Sequence, residues 1–157
     1  MMIRKMTLLA VSAGLAGLFM WAGCEDPDDD GGNETVISSF GDTESHRAGN
    51  DCMSCHVSGG SGEGWFTVAG TVYETGGTTP YPNTTVRLYT GAGSSGELVI
   101  TVEVDANGNF YTTETVDWGT GLYPTVSSDN ETRSMASVAT TGACNSCHSG
   151  TAVLALD

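Results

Sequence analysis

Between Trp65 and Ser128 the chain alternates short runs of β-branched and aromatic residues with clusters of turn formers, and this punctuation leaves few folds open to it. The runs are WFTVAGTVYE (65–74), TTVRLYT (84–90), ELVITVEV (97–104) and NFYTTETV (109–116); between them stand TGGTTPYPN, GAGSSG and DANG. Side chains branched at Cβ are stiff at χ1 and pack well on a pleated surface, whereas glycine and asparagine accept the positive φ that tight turns demand. In the second run Val86, Leu88 and Thr90 share a face, and in the third Val99 or Val102 joins Val104 on the apolar side. Weaker runs follow at LYPTVSS (122–128) and SMASVAT (134–140), and no long amphipathic helix is patterned beyond residue 23. The pattern predicts a mainly β protein, an antiparallel sandwich or barrel.

On either side of this body the same five-residue pattern occurs: Cys52-Met53-Ser54-Cys55-His56 and Cys144-Asn145-Ser146-Cys147-His148. Cys-x-x-Cys-His is the attachment signature of c-type haem. Two thiols three positions apart can each add to one of the two vinyl groups on a haem edge, and the histidine that follows is then held beneath the iron. Other chemistries use paired cysteines. A zinc ribbon would place its knuckles about 15–20 residues apart, and here most of the body intervenes. Two small disulfide loops would suit an oxidising compartment but give no reason for a histidine after both pairs. The chain has three histidines, and two of them fall at the required position. Two covalently attached haems are therefore expected, one on Cys52, Cys55 and His56, the other on Cys144, Cys147 and His148. If the first and last strands meet at one edge, the two motifs meet there as well.

Two six-coordinate irons need two more axial ligands, and the candidates are few. His46 lies six residues before Cys52 and is the natural choice, since imidazole binds iron well. Met53 sits inside the attachment loop, whereas Met135, nine residues before Cys144, is freer to reach an iron. Met135 could equally be an ordinary packing residue of a late strand. The second iron could also remain open or take a ligand from another molecule.

The first 23 residues read as a segment apart. Arg4 and Lys5 precede the apolar run MTLLAVSAGLAGLFMWAG, which reads as an export signal, or as an uncleaved anchor. WAGC resembles a bacterial lipobox, with Trp21 where that motif usually has leucine; the resemblance implies lipidation of Cys24 and an exported lipoprotein on the periplasmic or outer face of the envelope, the outer membrane favoured. Residues 24–43, opening with EDPDDDGG, are expected to be an acidic flexible tether, 44–64 the first haem-binding segment, 65–128 the sandwich, and 129–157 the last strand and second haem-binding segment. Beyond residue 23 the only basic residues are Arg47, Arg87 and Arg133, against nineteen acidic ones. Such a surface repels phosphate backbones and anionic lipid, so nucleic-acid binding is excluded and membrane attachment falls to an acyl chain. It is expected either to steer the protein toward basic partners or simply to keep an exported protein in solution.

VAGTVYETGGTTPYPNTTVRLYT followed by VDANGNFYTT resembles the transthyretin-like, carboxypeptidase-regulatory-like β-sandwich. The matching positions are Gly70, Val72, Pro82, Asn83, Val86, Leu88, Asp105, Gly108 and Phe110, within residues 66–128. That likeness implies a scaffold and no chemistry. The repeated Cys-x-x-Cys-His pattern resembles multihaem c-type cytochromes, which implies electron transfer at or outside the envelope, with other cytochromes as redox partners and self-assembly into an oligomer or filament as a variant. An enzyme with an open iron acting on peroxide or a nitrogen oxide, and a binding module with accessory haem, are the competing expectations.

Overall fold

The computed structural model describes residues 33–157; the expected export signal, the lipidation residue Cys24 and the first part of the tether lie outside the described residues. The protein is mainly β. Its strands are β1 (Val68–Glu74), β2 (Thr85–Gly91), β3 (Ser95–Glu103), β4 (Asn109–Thr112), β5 (Tyr123–Ser127), β6 (Thr132–Ser134), β7 (Gly142–Ala143) and β8 (Leu154–Leu156). The helical pieces among the described residues are two 3-10 turns, Cys52–Ser54 and Cys144–Ser146, and no described helix is long and apolar enough to cross a membrane.

There are two sheets. In one, β3-β2-β5-β6, every pair is antiparallel. In the other, β1 pairs antiparallel with β4 on one edge and parallel with β7 and then β8 on the other. This second sheet departs from the all-antiparallel expectation. The chain returns to β1 only after crossing from the other sheet, and a parallel pair needs such a long connection. The four strong runs of the sequence became β1 to β4. The weaker run 134–140 did not form one strand: β6 ends at Ser134, and a single bridge joins Ala139 to Leu122.

Alternation decides which side chains meet. Val68, Val72, Phe110 and Leu156 from one sheet cluster with Val86, Leu88, Val102 and Val126 from the other, joined by Val104, Val116 and Leu122. Of the residues expected on the apolar faces, Val102 and Val104 are buried, whereas Val99 and Thr90 point to solvent. Phe110 lies directly across from Gly70, where a β-carbon would stand 2.5 Å from its ring. Gly70 is therefore the space the ring occupies. The DANG turn is tied by Asp105, whose Oδ1 accepts from the N–H groups of Asn107 (2.9 Å) and Asn109 (3.0 Å), so the chain enters β4 with a fixed register.

The second half of the expected tether is not free. The Val36 carbonyl accepts from Thr113 N–H, Ser38 N–H donates to the Tyr111 carbonyl, Ile37 bridges Thr112, and the Asp42 carbonyl accepts from Ala106. Its apolar side chains Val36, Ile37 and Phe40 stay largely exposed. Composition pointed to a tether here; unpaired groups on the outer edge of β4 gave the backbone a partner.

Candidate functional site

Most strands of a two-sheet protein bury one face. β1 buries both: Val68 and Val72 face the core, and Ala69, Thr71 and Tyr73 on the other face are buried as well. The cover is supplied by the segments that carry the two Cys-x-x-Cys-His motifs. The first docks through Gly49, whose N–H donates to Thr71 Oγ1 (2.9 Å). The second is strung between β7 and β8, which pair with successive stretches of β1 and hold residues 144–153 against its edge. Segments far apart in sequence are thus held by one strand, and both reach Thr71: Gly49 from the first and Asn145 from the second.

The two motifs adopt the same conformation. In the first, Cys55 N–H and His56 N–H donate to the Cys52 carbonyl (3.2 and 2.9 Å); in the second, Cys147 and His148 donate to the Cys144 carbonyl (3.2 and 2.8 Å). Ser54 Oγ donates to the Asp51 carbonyl and Ser146 Oγ to the Ala143 carbonyl, both at 2.6 Å. Cys55 and Cys147 have nearly equal backbone angles, φ −112 and ψ −40 against φ −110 and ψ −35. One difference lies at the start of the turn, where Asp51 caps the first motif through Met53 N–H and Ala143 offers no side-chain cap to the second. The turn sets Cys52 and Cys144 partly inside and leaves Cys55 and Cys147 exposed, all four as free thiols.

Both histidines are also held alike. His56 Nδ1 lies 2.9 Å from the Glu63 carbonyl, and His148 Nδ1 lies 3.0 Å from the Ala152 carbonyl. A carbonyl oxygen only accepts, so each Nδ1 carries a proton, and in the neutral ring Nε2 has the lone pair. At His56 the loop wraps closely: a β-carbon on Gly62 would stand 2.7 Å from Nδ1. The His56 ring stacks on Phe66 (centroids 4.3 Å, 12°), which stacks in turn on Tyr111 (5.0 Å, 28°).

Burial acts on the two inner thiols. Burial pushes the Cys144 thiol up to about 12, with Cys52, Cys147 and Asp51 adding negative charge nearby. Burial also raises Cys52, and Asp51 and Asp105 add to it. Cys144 packs against the hydrophobic cluster, and its Sγ–H donates to the Gly142 carbonyl at 3.4 Å.

His46 stands beside His56, ring centres 5.9 Å apart and planes tilted by 42°. It is exposed and opens onto a shallow cleft shared with Pro80, Pro82 and Asn107. Met135 lies elsewhere, half-buried just past β6 on the other sheet, with its N–H donated to the Pro124 carbonyl. Met53 is half-buried in the first turn. Among the described residues, no three His, Cys, Asp or Glu side chains converge into a metal-ion cage.

Sequence reasoning passed over Asn145, the residue after the first thiol of the second motif, which is 3 % exposed and bonded to both β1 and the first motif. It also missed Phe66 and Gly62 as neighbours of His56. A buried asparagine between two cysteines carries no mark in the sequence, because its partners are 74 and 95 residues away. Comparison with protein-family models, curated proteins and solved structures finds no match to this chain.

Proposed function

We propose that this chain is a dihaem c-type cytochrome that transfers electrons at or outside the cell envelope. The observation that carries the reading is the histidine arrangement: each Cys-x-x-Cys-His forms the same one-turn structure, and each histidine has Nδ1 tied to a carbonyl with Nε2 left as a base. A ligating histidine is normally held this way, its second nitrogen donating to a carbonyl or carboxylate that fixes tautomer and ring orientation. The donor set fits the group: four reduced thiols in two pairs, each followed by an imidazole with an available lone pair. Cys52, Cys55 and His56 would hold one haem, Cys144, Cys147 and His148 the other. Bound there, each haem supplies a one-electron iron couple.

His46 is the second axial candidate at the first site. Its ring stands beside that of His56, centres 5.9 Å apart, and it would supply a second imidazole to the group held there. The second site has no histidine to match it, since the chain's three are used. Met135 is the internal candidate there; a ligand from another copy of the chain, or an open iron acting on peroxide or a nitrogen oxide, are the alternatives. Around both sites the two sheets, which share one core, serve as a transthyretin-like sandwich scaffold. The apolar N-terminal run and Cys24 support an exported lipoprotein on the periplasmic or cell-surface side, with the outer membrane favoured. The acidic surface supports basic redox partners such as other cytochromes.

Low-temperature electron paramagnetic resonance of the oxidised protein, from a host able to attach c-type haem, tests this together with intact mass. Two haem increments with two low-spin ferric signals are expected. A persistent high-spin signal would move the second site to the open-iron reading. An exported chain without haem would overturn the proposal.

A further inference from the structure

Asn145 stands where most Cys-x-x-Cys-His turns need only a spacer, yet it is buried and fully engaged. Its Oδ1 accepts from Thr71 N–H (3.0 Å), and its Nδ2 donates to Thr71 Oγ1 (3.0 Å) and to the Asn50 carbonyl (2.8 Å). A backbone N–H on one side and a backbone carbonyl on the other allow the amide only this orientation. Asn50 lies two residues before Cys52, so one side chain of the second motif reaches the backbone of the first across 95 residues of sequence.

The bond is part of a longer buried chain. Thr71 Oγ1 also accepts from Gly49 N–H (2.9 Å) and donates to Asn109 Oδ1 (2.7 Å). Asn109 Nδ2 then donates to Ser45 Oγ (2.9 Å), the residue before His46. Thr71 and Asn109 are 1 % and 2 % exposed. Buried and fully satisfied polar networks of this kind have one low-energy arrangement, because any displacement strands a donor or acceptor out of water. The second motif, the first motif and the segment bearing His46 are consequently joined through three buried side chains, whose bonds to Asn50, Gly49 and Ser45 at the ends are part-buried.

Resting on the two-haem reading, we propose that Asn145 is a positioning residue: it locks the two haem-binding turns into one rigid pair, so that both haems are carried at a single fixed separation and mutual orientation. Electron exchange between them then depends on a side chain that touches neither iron. The same network sets His46 in register with the first motif.

The test uses the haem-loaded full chain and reads the geometry between chromophores instead of turnover. Two haems held close and fixed give a two-signed circular-dichroism couplet in the Soret band, and mobile or distant ones do not. The wild type is expected to carry two haems by mass and to show the couplet. Asn145→Ala is expected to keep both haems and their individual absorption spectra while losing the couplet. Thr71→Val, which removes the hydroxyl at constant shape, should do the same, and Thr71→Ser should retain it. Should Asn145→Ala fail to fold, the Thr71 pair decides. A couplet that survives in Asn145→Ala or Thr71→Val overturns the proposal, as does a wild type with two haems and no couplet. A wild type without haem instead overturns the underlying reading.

Discussion

At the scale of single residues, the two histidines and the two inner thiols are set by short contacts that substitution can probe. Gly62 is the point where the 57–64 loop closes on His56. A β-carbon there would sit 2.7 Å from Nδ1, so Gly62→Ala must push the imidazole off the Glu63 carbonyl or open the loop. If the proposed haems are bound, the expected outcome is a weakened ligand at one site alone: one of two low-spin signals in the paramagnetic resonance spectrum falls and a high-spin signal appears. The inner thiols give a pH signature in the haem-free protein. Burial raises Cys144 from 9.0 to about 12, so the folded state favours the protonated thiol. Above pH 9 the unfolded chain releases a proton that the folded chain keeps; stability contributed by this thiol is whole below pH 9 and is lost as pH rises toward 12. Urea midpoints measured from pH 8 upward should fall, and fall less steeply in Cys144→Ala. Alkylation near pH 8 should reach the exposed Cys55 and Cys147 well before Cys144, read by peptide mass.

At the scale of elements, β1 is the organising strand. Its core face depends on the fit of the Phe110 ring over Gly70, and its outer face on the motif segments. Phe110→Ala should therefore cost about 3–5 kcal/mol by loss of burial and creation of a cavity. Because the Gly70 space also borders Cys144 (2.9 Å from a β-carbon there to Cβ), that cavity lies next to the second motif. Equilibrium urea unfolding gives the stability loss, and a drop in haem occupancy of the second motif greater than that of the first should accompany it. The edge pairing of β7 and β8 explains why this motif needs no capping side chain: the sheet holds both of its ends. The first motif, whose C-terminal loop is closed by its own bonds and not by strand pairing, has Asp51 as its cap.

At the scale of the whole molecule, charge decides how the protein meets others. Nineteen acidic residues face three arginines beyond residue 23, and Arg133 is already tied to Glu131 and Asp157. On the proposed reading, electron transfer to a basic partner protein should slow as salt is raised from about 0.01 to 0.15 M, where the screening length falls from about 30 to 8 Å. Stopped-flow traces with a cationic and an anionic redox protein check this: a fall for the first, with little change or a rise for the second, is the expected pair of results. Equal salt dependence for both would remove electrostatic steering from the account.

The strands, the DANG turn and the two motifs with their thiols and histidines were legible in the sequence, because each depends on residues within a few positions of one another. Periodicity of two marks a strand, glycine and asparagine mark a turn, and Cys-x-x-Cys-His is a local pattern. The tertiary structure alone decided what lies between distant segments. It made the sheet containing β1 mixed, drew residues 36–38 onto the β4 edge, set Val99 and Thr90 outside, put Met135 just past β6 on the other sheet, and turned Asn145 from spacer into bridge. Each of these is a choice of hydrogen-bond partner or buried face made across tens of residues. The free energy for such choices comes from desolvating several segments together, and no window of the chain contains all of them.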